Sequence, residues 1–133
     1  MPCWQFRDYV TEDRRSPLLE WYGMLDEEAQ AAFDVLLKTL SETEDWDEVK
    51  STRRKYKELF GQHAGLCELI LTVNKRKFRP LGILIRETQE FILLGGAEKI
   101  GQGTTDPEGA FDLALRLKKQ FDEGRGATRD YRY

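Results

Sequence analysis

Between Lys50 and Arg79 the chain carries 9 lysines and arginines against 2 acids, and its chemistry is concentrated there. Arg53, Arg54, Lys55 and Lys57 form the first cluster; Lys75, Arg76, Lys77 and Arg79 form the second, beyond an apolar run. Cations at this density suit an anion, either nucleic-acid phosphates or an acidic protein segment, although a charged hairpin tip needs no ligand to be soluble. Three nearby side chains could exchange a proton: Glu68, Glu98 and His63, the only histidine. Imidazole is the group suited to acid and base work near neutral pH. The plainer alternatives are an exposed loop histidine for His63 and an ion pair with Glu68 for Arg79. At the far end, Arg129, Tyr131, Arg132 and Tyr133 combine charge with rings, as single-stranded RNA binders do. They lie in GRGATRDYRY, which reads as a mobile tail.

The chain of 133 residues is 40% hydrophobic and 11% aromatic, enough for one folded domain over residues 1–123 with the tail at 124–133. The net charge of −3 conceals a polarity along the sequence. Met1–Val49 holds 4 basic against 13 acidic residues, and Pro80–Tyr133 holds 8 against 9. Acidity overall argues against non-specific nucleic-acid binding, whereas the middle block argues for a local anion site. No apolar run is long enough to span a bilayer, and the first residues lack a signal-peptide core, so a cytoplasmic protein is expected. Cys3 and Cys67 are too few for a disulfide framework and have no metal-type spacing with His63, so neither metal nor cofactor is expected.

These residues need a scaffold. Leu66–Gly96 contains three apolar runs, LCELILTV, FRPLGILI and EFILLGG, separated by turn residues. They predict an antiparallel meander with Asn74 in a left-handed turn. Apolar residues on both faces predict a sheet covered on both sides, with Cys67 pointing into a core. Trp4–Val10 reads as a first strand. Ser16 and Pro17 open a short helix that Gly23 breaks, and the acids Asp26-Glu27-Glu28 mark the start of a second with a stripe of Ala29, Ala32, Phe33, Leu36, Leu37 and Leu40. Glu98–Thr105 reads as a polar loop. Asp106-Pro107 leads a last helix to about Asp122, stopped by Gly124.

SPLLEWYGML, KELFG followed by GLCEL, then FRPLGIL, EFILLGGAEK and a Pro107-led final helix together resemble the RelE/HigB superfamily of bacterial toxins, in its phage-derived HigB-like branch. The resemblance spans about Trp4–Phe121 and rests on the order of five weak motifs. It implies an α+β fold: a twisted antiparallel sheet of about four strands with an N-terminal helical hairpin and a C-terminal helix. It also implies a type II toxin that cleaves messenger RNA on the ribosome without a metal and is neutralised by an antitoxin encoded beside it. Arg79 matches the arginine opening the family's second meander strand, and would grip a phosphate bidentately. Lys99 matches a loop lysine that would offset transition-state charge. Two positions depart from the pattern: Ile70 stands in place of an arginine, and Glu98 in place of the first of two lysines. The alternatives are therefore a non-catalytic binding protein of the same kind and a relative that inhibits DNA gyrase.

Overall fold

Local signals set the first helices, and the computed structural model, which describes residues 3–46 and 55–131, shows a side-chain cap at the start of each. After strand β1 (Gln5–Val10), helix α1 (Pro17–Tyr22) starts where Ser16 Oγ accepts the Leu19 N–H at 3.1 Å. Helix α2 (Glu27–Ser41) starts where Asp26 Oδ1 accepts the Ala29 N–H at 2.8 Å. Each cap satisfies a donor that a helix end leaves without a partner. Of the expected stripe, Ala29, Phe33, Leu36, Leu37 and Leu40 are buried, while Ala32 is only partly buried at its edge. There follow β2 (Tyr56–Glu58), a 3₁₀ turn at Gly61–His63, β3 (Cys67–Leu69), β4 (Leu71–Val73), β5 (Arg76–Ile85) and β6 (Glu90–Gly101). The chain closes with β7 (Thr104–Asp106), α3 (Ala110–Asp122) and β8 (Ala127–Asp130).

Among the described residues the sheet has eight strands, in the order β2-β3-β5-β6-β1-β8, with β4 also pairing β5 and β7 also pairing β6. The expected antiparallel sheet of about four strands is therefore corrected in size and direction. The sheet is mixed because β1 runs parallel to β6 while its other edge pairs antiparallel with β8. Parallel neighbours need a long crossover, and the chain between β1 and the meander, carrying α1 and α2, supplies it. The first meander run is divided at Ile70, whose N–H donates to Lys55 O at 2.8 Å. Strands β2, β4 and β7 have three residues each and β8 has four, too short for apolar alternation to announce them.

The stretch read as a mobile tail instead supplies an edge of the sheet. Arg7 Nη1 donates to Asp130 Oδ1 at 2.7 Å, and Arg129 Nε to Asp8 Oδ2 at 3.0 Å. Asp8 is buried and also accepts Ser16 Oγ at 2.6 Å, so its charge is paired inside the fold. The Tyr131 N–H donates to Phe6 O at 3.1 Å.

Both sheet faces are covered. Trp4, Phe6, Trp21, Phe33, Trp46 and Phe78 form the core beneath α1 and α2. Tyr9, Leu66, Leu81, Ile92, Leu94 and Leu117 form the core beneath α3. Gly96 lets the Trp21 ring lie directly on the β6 backbone, where an added Cβ would clash with that ring. Gly96→Ala is expected to cost about 1–3 kcal/mol through overpacking. Urea unfolding checks this: the midpoint should fall with an unchanged slope, and a wild-type midpoint would contradict the packing.

Cys67 points into the core under α2, and burial pushes its thiol up to about 12. The thiolate is the reactive form, so Cys67 should resist iodoacetamide in the folded chain at about pH 8.5 and react once the chain is unfolded. Peptide mass spectrometry reads this directly; rapid native labelling of Cys67 would contradict its placement.

Candidate functional site

The β5–β6 register puts Lys77 opposite Lys99, Phe78 opposite Glu98 and Arg79 opposite Ala97. Side chains alternate across a strand, so neighbouring charged residues go to opposite faces of the sheet. This divides the sequence candidates into two groups.

Arg76 and Glu98 share the face of Phe78, toward α1 and α2. The Arg76 guanidinium lies 5.0 Å from the Phe78 ring centroid and donates to both Glu98 oxygens at 2.9 and 2.8 Å. That bidentate contact holds the Glu98 carboxyl below its ordinary range and raises Arg76. Glu98 is therefore poorly suited to act as a base, and Arg76 is already engaged. At the nearby β4–β5 turn, Asn74 and Lys75 have left-handed backbones, with φ of 51° and 69°. Lys75 is exposed at that tip.

Lys77, Arg79 and Lys99 share the opposite face, toward α3. Lys77 and Lys99 are direct cross-strand partners, both exposed, a like-charge arrangement that costs the sheet some stability. Arg79 donates from Nη1 to Phe78 O at 2.8 Å, and its Nε lies 3.8 Å from Glu68 Oε2. The Glu68 and Arg79 side chains are only 4% and 11% exposed, yet this contact is too long for a hydrogen bond. Neither Glu68 Oε2 nor Arg79 Nε has another hydrogen-bond partner. Lys57 stands opposite Glu68 in the β2–β3 register, extending the basic face.

Beside Lys99 the sheet opens into a cleft of about 580 Å³. Its walls are the β6–β7 hairpin, the 3₁₀ turn carrying His63, and the first turn of α3. His63 Nε2 lies 2.8 Å from Asp112 Oδ1, and its ring meets Phe111 edge-on at 5.5 Å. The imidazole is thus held in a fixed orientation at the rim of a basic surface. Two sequence candidates, His63 and Lys99, line one cleft, with Lys77 opposite Lys99.

Other candidates lie elsewhere. Lys55 lines a groove with Val35 and Ile70, alongside α2. Arg129 is tied to Asp8. Tyr131 packs on Phe33 at 6.0 Å, and burial pushes its hydroxyl well above the ordinary tyrosine range. A ring used this way is part of the core, not an exposed stacking platform for RNA. Arg53, Arg54 and Arg132 lie outside the described residues. The sequence reading missed Asp112, Phe111 and the hairpin formed by β6 and β7. Its signal was Gly101-Gln102-Gly103 between Ile100 and the β-branched pair Thr104-Thr105.

Among the described residues, no three His, Cys, Asp or Glu side chains gather as metal ligands could. No helix among them is long and apolar enough to cross a membrane. Comparison with protein-family models, curated proteins and solved structures finds no match.

Proposed function

We propose that this protein is a ribosome-dependent messenger-RNA endonuclease, the toxin of a toxin–antitoxin pair of the RelE/HigB kind, acting in the cytoplasm. The observation that carries the reading is the direct opposition of Lys77 and Lys99 next to Arg79, on the face that also opens toward His63. Cleavage of an RNA strand requires loss of the 2′-hydroxyl proton, attack of that oxygen on the adjacent phosphorus and protonation of the departing 5′ oxygen. Lys77, Lys99 and Arg79 would offset the charge that builds on the phosphoryl oxygens. His63, oriented by Asp112, is the proton carrier best placed at this surface, and Glu68 supplies a counter-charge to Arg79 on the same face of the sheet. The partners are the ribosome with its message, and an antitoxin protein encoded nearby.

Inducible expression in a bacterial host lacking an antitoxin tests the proposal. Growth should stop and 5′ ends should appear within messages. Unchanged growth with intact messages would sink it. One observation favours a second reading, a binding protein of the same kind without turnover. Arg76 is already neutralised by Glu98, and Arg79 faces Glu68, so part of the positive charge is spent inside the protein. RNA retained on the protein but never cut would select that reading.

A further inference from the structure

The cleft beside Lys99 is larger than a phosphate contact requires, and its lining is chemically mixed. A volume of about 580 Å³ falls in the range of sites that enclose a small organic ligand. Gln62, on the 3₁₀ turn, and Gln102, at the tip of the β6–β7 hairpin, both line it, and each amide offers both a donor and an acceptor. Amides of this type read the edges of nucleobases. Phe111 contributes the apolar surface, with the His63 ring packed against it. The one acid in the cleft, Asp112, is engaged by His63, which leaves Lys99 as the charge facing a ligand. The mouth is open: a Cβ added at Gly103 or Gly109 would meet nothing within 4 Å.

We infer that this cleft receives a single unstacked nucleobase, whose own phosphate lies on Lys99 and Lys77. The inference rests on the proposed reading of those lysines as RNA phosphate contacts, and adds a base-binding site to it. The substrate is thereby narrowed to single-stranded RNA, because a paired base cannot leave its stack to enter the cleft without extra cost. Gln62 and Gln102 become the residues that set base preference. Lys99 joins the base site to the scissile backbone.

Titration of the full chain with mononucleotides, followed by amide NMR, tests the inference. Nucleoside monophosphates should bind at least about tenfold more tightly than ribose 5-phosphate or inorganic phosphate, and should shift Gln102, Gly103 and Thr104. Equal affinity for the three probes, or no nucleotide binding up to about 10 mM, would overturn it. Thr104→Trp, on the exposed β7 strand, should fill the cleft and weaken nucleotide binding by about tenfold or more, with phosphate binding kept. A Thr104→Trp variant that is folded by its circular dichroism and cuts RNA with unchanged base preference would remove the base site and leave the nuclease reading standing. Nucleotide binding in the cleft without any RNA cleavage would do the reverse.

Discussion

Lys99→Ala is expected to lower RNA cleavage by about 100-fold or more, the loss typical of removing one preorganised group that stabilises transition-state charge. The same change should leave stability equal to wild type or raise it by a few tenths of a kcal/mol, since it removes one member of a like-charge cross-strand pair. These opposite effects separate a phosphate-binding lysine from a structural one. Lys77→Ala should act in the same direction, and Lys99→Arg should retain part of the activity because charge is kept. RNA binding by the wild type should weaken steeply as salt rises, and the slope should become shallower by about one unit in the Lys99→Ala variant. Single-turnover cleavage and thermal melting supply the two readouts. A stabilised variant that cuts at the wild-type rate would make Lys99 a solvated strand lysine.

Glu68→Ala is expected to have the largest effect on stability, about 3–5 kcal/mol, because it leaves the Arg79 guanidinium largely buried without a counter-charge. For a chain of this size the melting temperature should fall by roughly 10 °C or more. The existing pair is imperfect: Nε and Oε2 face each other at 3.8 Å without a hydrogen bond. Replacing both members with apolar residues, Glu68→Leu with Arg79→Met, should therefore recover most of the lost stability. That double variant also tests Arg79 chemically. If Arg79 contacts the phosphate, the double variant should be stable and at least about 100-fold slower in cleavage. A stable double variant with full activity would confine the pair to a structural role.

The readable parts of this fold are those with local causes. Ser16 and Asp26 cap the two helices that their sequence positions announce, and Asn74 adopts the left-handed turn expected of it. The pairing of β1 with β6 and β8 is non-local, joining residues at both ends of the chain, and no periodicity within β1 records it. Tyr131 shows the consequence. Its composition context suggests a stacking tail, but β8 carries it onto Phe33. The basic block was legible as charge and illegible as a surface. Arg76 and Lys77 are adjacent in sequence, yet the strand alternation sends one to Glu98 and the other to Lys99. The cleft draws on the 3₁₀ turn, β6, β7 and α3, so His63 and Lys99 could be nominated separately but not joined. Asp112 gave no signal at all, because an acid in the first turn of a helix is explained by the helix alone.

The central claim is that the Lys77–Lys99 face cuts message on the ribosome. It is tested most directly by adding purified protein to translating ribosomes programmed with one defined messenger RNA and mapping new 5′ ends. The account predicts discrete cuts that require ribosomes and are lost in Lys77→Ala/Lys99→Ala. An intact message at saturating protein, or cuts that persist unchanged in the double variant, would contradict it.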